Sequence, residues 1–195
     1  MYKINNCTTK VFMDLEFTKL DQSAKLISIA LISENGKALY VEVSDYNKSK
    51  TLLDAFIVTN VEANLLLLDK PEGTSVLLPD NVEMYKDRYE KCKEKIFDFF
   101  SNFDYVEIWG DCLAYDWVIF CQLFGGALNI PKNIYYIPFD ISTFFKINNI
   151  DPDVSREEFI EESINFIPSY ITDKKHNSLF NTFVIRECYN KLEKK

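Results

Sequence analysis

The sequence predicts an α/β domain in which helices flank a mixed five-stranded sheet. Three observations carry that expectation. The chain opens on three strand-like segments joined by short turns, its later part alternates strand-like and helix-like segments, and no repeat, linker or low-complexity stretch interrupts it. A hairpin-rich start followed by αβ units makes a sheet whose faces need helices to cover them. A length of 195 residues suits one domain with a sizeable core, so residues 1–195 are read as a single domain.

Lys10 to Thr18 reads as the first strand, with Phe12, Asp14, Glu16 and Thr18 on one face and Val11, Met13, Leu15 and Phe17 on the other. Lys25 to Ser33 (KLISIALIS) is the second, and Glu34-Asn35-Gly36 after it carries the Asn-Gly hairpin signal. Lys37 to Val43 returns as the third. Asp45 to Asn60 holds a short helix or strand, Val61 to Leu68 a turn of apolar helix, and Lys70 to Asn81, with Pro71, Gly73 and Pro79, a loop. The spacing of Tyr85, Tyr89, Cys92, Ile96 and Phe99 predicts a helix over Val82 to Phe100. Tyr105 to Gly110 is the fourth strand, and Ala114 to Phe124 a strongly apolar helix closed by Gly125-Gly126. Ile134 to Phe139 is the fifth strand, and helices over Ser155 to Asn165 and Ser178 to Leu192 follow it.

Composition narrows the function classes. No apolar run approaches the roughly 20 residues needed to cross a bilayer, and Met1 to Cys7 is too polar for a signal peptide. The five cysteines (Cys7, Cys92, Cys112, Cys121, Cys188) are scattered, with no Cys-x-x-Cys pair. That argues against a disulfide framework or a zinc knuckle and points to a reducing cytoplasm, with no membrane partner. The net charge of −8 excludes a protein that coats long nucleic acid through its phosphates. Action on a chain end stays open, because bound cations can dominate the electrostatics of an acidic site.

An acidic constellation supplies the chemistry. Asp14 and Glu16 stand two apart on an apolar strand, so both carboxylates leave the same face. Like charges that close repel, and a hard divalent cation relieves them. On its own, Asp-x-Glu reads more readily as a solvent-facing strand edge. Asp116 is the second piece, in the first turn of a helix that offers water little else. A helix N-terminus favours an acidic residue for structural reasons too. The third piece is His176, the chain's one histidine, in a polar stretch just before the last helix, with Asn181 five residues later inside that helix.

These residues resemble a known family. VFMDLEFT looks like the Asp-x-Glu-x-Thr motif of the DEDDh 3′-5′ exonucleases, a superfamily with an RNase H-like fold, and YDWVIF looks like its second motif, with Asp116 as the carboxylate. HNSLFN resembles the third, His-x-x-x-x-Asp, except that Asn181 stands where the family has aspartate. WGDCLAYDWVIFCQLFGG, with Ile130-Pro131 and Pro138-Phe139-Asp140, resembles in particular the bacterial and phage exoribonuclease branch related to RNase T. The match spans nearly the whole chain in the expected order.

The resemblance implies that Asp14, Glu16, Asp116 and the residue at 181 hold two Mg²⁺ or Mn²⁺ ions, with His176 taking the proton from the attacking water. It implies a single-stranded RNA or DNA 3′ end as substrate, RNA resting on the branch alone, with homodimerisation left open. Thr18 and Phe17 would border the terminal nucleotide, and Tyr115, Trp117 and Phe17 are candidates for base stacking. For Trp117, core packing is an equal alternative. The alternatives in function are a 3′-5′ exodeoxyribonuclease, or a catalytically inactive module that binds nucleic acid or protein.

Asn181 departs from the pattern. An asparagine can coordinate through its carbonyl but lacks the charge of a carboxylate, so one metal site should be weaker and the reaction slow. Three readings compete: a deliberate Asp→Asn change that traps substrate, a natural nuclease with a weakened site, or a former nuclease that now only binds. The retained Asp14, Glu16, Asp116 and His176 favour the first two.

Overall fold

The computed structural model describes residues 8–46, 55–172 and 174–194. Thr8–Phe17 (β1), Leu26–Ser33 (β2) and Ala38–Val43 (β3) form an antiparallel meander. Gly36, at φ 84, closes the β2–β3 hairpin, a backbone region open to glycine without a Cβ clash. The remaining elements are Thr74–Leu77 (β4), Val82–Asp87 (β5), Tyr89–Phe100 (α1), Tyr105–Gly110 (β6) and Ala114–Leu123 (α2). Phe139–Asp140 (β7), Ile141–Ile147 (α3), Arg156–Phe159 (α4) and Ser178–Glu193 (α5) follow. The α/β class with a mixed, helix-flanked sheet is as expected.

Strand number needs correction. Among the described residues the sheet has seven strands, in the order β4-β5-β3-β2-β1-β6-β7, not five. Val82–Asp87 is a strand, not the start of a helix: it pairs in parallel with β3, and Val82 and Met84 are buried in alternation. Tyr85 fits the helical spacing by coincidence, and the helix begins only after Arg88, whose backbone is extended. Inside the expected loop, β4 pairs with β5 as an edge strand, and its exposed residues carry no hydrophobic alternation to reveal it. The fifth expected strand shrinks to Phe139–Asp140 and one bridge from Ile134 to Val106, with Pro138 unable to donate between them.

The helices were mostly foreseen, with boundary shifts. Helix α3 was not expected, and the predicted Ser155–Asn165 helix is a single α turn followed by a 3-10 segment, Glu161–Phe166. The apolar turn near Val61 is a π turn, Ile57–Val61, and a 3-10 turn, Glu62–Asn64. Residues 47–54 of the expected Asp45–Asn60 element lie outside the described residues.

The two faces of β1 divide the core. Val11, Met13 and Leu15 pack with Cys92, Ile96 and Phe100 of α1 and Ile119 and Phe120 of α2. Phe12 packs on the opposite face with Ile141 and Phe145 of α3 and the apolar side of α5. Asp14 and Glu16 alternate with the first set, so they point toward α5. Among the described residues, no helix is long and apolar enough to cross a membrane.

Candidate active site

The site forms where β1 leaves β6. Their parallel ladder stops at Phe12–Trp109, and among the described residues no strand pairs with Met13 onward on that side. Gly110 ends β6 against β1: a Cβ there would lie 2.4 Å from Leu113 Cδ2 and 3.0 Å from the Met13 carbonyl, so any larger residue would have to displace the Leu113 side chain. The chain then turns through Cys112 at φ 52 into α2. Asp116, in the first turn of α2, takes the place of the missing strand neighbour, its Oδ1 accepting from the Leu15 N–H at 3.0 Å. Asp140 fixes the start of α2 by accepting from Leu113 N–H at 3.0 Å, while its other oxygen caps α3 through Ser142 N–H at 2.8 Å.

Asp14 and Glu16 meet Asn181 across the cleft. The Asn181 Nδ2 donates to Asp14 Oδ2 at 3.1 Å and to Glu16 Oε1 at 3.2 Å. The ladder shifts register between Glu16 and Phe17, a bulge that re-aims the end of β1. Burial, then the charges of Asp116 and Glu16, raise the Asp14 carboxyl well above the usual range, against the Asn181 hydrogen bond. Burial and the Asp116 charge push Glu16 up to about 8. Burial likewise pushes Asp116 up to about 7, opposed by its backbone hydrogen bonds. Among the described residues, no three His, Cys, Asp or Glu side chains gather tightly enough to hold a metal ion as they stand. The amide of Asn181 lies between two of the carboxylates instead.

His176 precedes α5 and takes a left-handed backbone, φ 61. Its ring meets Phe56 edge-on, with centroids 5.2 Å apart. Burial and Lys175 lower its pKa below the usual histidine value, and Glu157 opposes them. Among the described residues, His176 makes no hydrogen bond to the carboxylate cluster. Two cavities flank that cluster. One, about 470 Å³, is lined by Glu16, Phe17, Thr18, Leu20, Phe56 and Val61. The other, about 180 Å³, is lined by Asp14, Asp111, Cys112, Arg156, Glu157 and Asn181.

A family model described as the 3′-5′ exoribonuclease Rv2179c-like domain matches residues 9–182. The chain belongs to this exoribonuclease family. It is 26% identical over 125 residues to the 3′-5′ exoribonuclease Rv2179c of Mycobacterium tuberculosis (strain ATCC 25618 / H37Rv), covering 64% of this chain and 67% of that protein. The same figures hold for the 3′-5′ exoribonuclease MT2234.1 of M. tuberculosis (strain CDC 1551 / Oshkosh). The Neurospora crassa Pan2 catalytic unit, a structure of protease and nuclease domain, aligns at 16% identity with a TM-score of 0.49, over 98% of this chain and 28% of that one.

Within this exoribonuclease domain the remaining predicted residues fall into two groups. Phe17 and Tyr115 face one another, ring centroids 6.4 Å apart, with Tyr115 on the surface. The Thr18 side-chain oxygen accepts from Lys25 N–H at 3.0 Å, closing the β1–β2 turn beside the larger cavity. Trp117 is stacked on Phe120 at 5.4 Å and packed against the α1/α2 core, with part of its ring spent on packing. Sequence reasoning missed Phe56, which pairs with His176. Nor did it single out Arg156, whose guanidinium makes a two-point bond to Asp111 at 2.7 and 2.9 Å beside Asp14. Arg156 is remote in sequence, and no spacing rule links it to Asp111.

Proposed function

We propose that this chain, residues 1–195 as one domain on an RNase H-like sheet, is a 3′-5′ exoribonuclease. It releases nucleoside monophosphates from single-stranded RNA ends, slowly because of Asn181, in a reducing cytoplasm. The observation that carries the reading is the convergence of Asp14, Glu16, Asp116 and Asn181, from three distant segments, on the notch between β1 and α2. Three carboxylates with raised pKa, and no basic side chain bonded to them among the described residues, form a site whose repulsion a cation would relieve. Their donor set of hard oxygens fits Mg²⁺ or Mn²⁺. Asp14, Glu16, Asp116 and, once its amide turns, the Asn181 carbonyl would hold two ions. When bound, such ions supply a lowered pKa for water and charge stabilisation at the leaving oxygen.

The chain's own groups do the rest. The larger cavity is of the size that takes a small ligand, and Phe17, Leu20, Phe56 and Val61 give the terminal nucleoside an apolar wall. Phe17 and Tyr115 offer faces for stacking. His176, neutral at working pH, takes the proton of the water that attacks phosphorus. The bond from phosphorus to the preceding 3′ oxygen breaks, that oxygen is protonated to a new 3′ hydroxyl, and the monophosphate leaves. The test is digestion of 5′-labelled RNA and DNA of one sequence with Mn²⁺. A ladder shortening from the 3′ end, faster on RNA, is expected. DNA degraded faster would favour an exodeoxyribonuclease. No product from this chain or from Asn181→Asp would leave a binding-only protein as the better reading.

A further inference from the structure

The register of the meander sets two rows of side chains next to each other on the α5 face. Glu16, Ser28 and Glu42 make one, and Asp14, Ala30 and Tyr40 make the other. The site uses only the first member of each row. The far members, Glu42 and Tyr40, are 1% and 0% exposed. A buried carboxylate is unfavourable unless its bonds repay the lost water. Glu42 Oε1 accepts from the Tyr40 hydroxyl at 2.7 Å and from the N–H groups of Leu66 and Leu67 at 2.7 and 2.8 Å. Its Oε2, also buried, has no partner among the described residues, so the group is held there at a penalty.

The bonds lead to the start of α5. Asn177 Nδ2 donates to the Tyr40 oxygen at 3.1 Å and to the Asn64 carbonyl at 2.9 Å. Its Oδ1 caps α5, accepting from Leu179 N–H at 3.0 Å and Phe180 N–H at 3.4 Å. Asn64 Nδ2 donates to the Lys175 carbonyl at 2.7 Å. One connected set thus fastens the segment after Phe56 and the residues on both sides of His176 to β3. A left-handed backbone is unfavourable for histidine and persists where neighbours over-determine it. Here the neighbours on either side, Lys175 and Asn177, are the ones gripped.

We propose that Glu42, Tyr40 and Asn177 are positioning residues, a buried hydrogen-bond network that holds His176 in the orientation its role as proton acceptor requires. This rests on the reading of His176 given above. Tyr40→Phe removes the hydroxyl that joins Glu42 to Asn177 and keeps the ring. His176 is the chain's one histidine, so its imidazole signals can be followed by NMR in the Mg²⁺-loaded protein without ambiguity. The variant should shift and broaden those signals. It should also lower kcat on RNA about tenfold or more with KM little changed, as a small misplacement of a catalytic group does. The rise in Tm with Mn²⁺ should stay, because Asp14, Glu16 and Asp116 make no bond within the network. In a His176→Ala background Tyr40→Phe should cost nothing further. Asn177→Ser, which keeps a capping oxygen but loses both donations, should act alike if Tyr40→Phe fails to fold. Unshifted imidazole signals in both variants, or additive losses with His176→Ala, would overturn the network. Shifted signals in a protein inert on every nucleic acid would support it while overturning the nuclease reading.

Discussion

At the scale of single residues, Asn181 decides the most. Its amide donates to Asp14 and Glu16, the role a carboxylate could not fill without an ion between them. Asn181→Asp is nearly isosteric and restores a charge, so packing should be unaffected. Removing one electrostatic contact to developing charge lowers a rate on the order of a hundredfold or more. Asn181→Asp should raise Mn²⁺-dependent trimming of RNA by a comparable factor, read as mononucleotide release. An unchanged rate at saturating Mn²⁺ would show that position 181 is not the missing ligand. His176 makes the second prediction. A base must be unprotonated, and burial and Lys175 lower its pKa. At saturating Mn²⁺, which holds the carboxylates in their ionised form, the rate should therefore persist as pH falls to the ordinary histidine value of about 6.5 and decline only below it. His176→Ala should lose most of the rate and that inflection while still binding RNA in a filter or fluorescence assay.

At the scale of elements, the notch between β1 and β6 makes the site, and Gly110 makes the notch. A methyl group there would collide with the Leu113 side chain and press on the Met13 carbonyl, just before the first turn of α2. Gly110→Ala should cost about 1–3 kcal/mol, the usual range for overpacking a tight spot, seen as a lower urea midpoint. It should also weaken Mn²⁺ binding, because α2 carries Asp116. A variant that loses stability but binds Mn²⁺ as before would show that the β6–α2 turn does not set the position of Asp116. The same elements show where sequence reasoning was limited. Strands β1 to β3 were legible because β1 sets Asp14 and Glu16 in alternation with buried apolar residues, while β2 and β3, buried throughout, are short apolar runs joined by an Asn-Gly turn. Strand β4 was not, because an edge strand with exposed side chains looks like a loop.

At the scale of the whole molecule, the acidic cluster sets how stability responds to pH. Asp14, Glu16 and Asp116 bind protons more tightly in the folded protein than their ordinary carboxylate values allow. Stability from Glu16 and Asp116 is therefore full below the ordinary values, about 4, and is lost as pH rises through about 7 to 8, with Asp14 acting in the same direction. Without divalent ions, Tm should fall between pH 5 and pH 8. Mn²⁺ should raise Tm more at pH 8 than at pH 5, since it binds the ionised form. Asp14→Ala should raise the ion-free Tm at pH 8 and abolish the response to Mn²⁺. A Tm that is flat from pH 5 to 8, and unmoved by millimolar Mn²⁺, would argue against a cation site in this cluster.

The sequence by itself determined the helix-flanked mixed sheet and the face of β1 that carries Asp14 and Glu16, and its motifs, through their resemblance to a known family, raised the expectation that Asp116 and Asn181 meet them. Those follow from local periods of two and 3.6 residues and from motif order, which are written in neighbouring positions. Only the tertiary structure decided that β3 acquires two further strands, that Asp116 completes β1 through the Leu15 N–H, and that Arg156 grips Asp111. It alone decided that Tyr40, itself bonded to Glu42, reaches Asn177, more than a hundred residues away. The physical reason is one of distance along the chain. A hydrogen bond or ion pair between remote segments leaves no periodic trace in either, because its partners are brought together by the folding of everything between them.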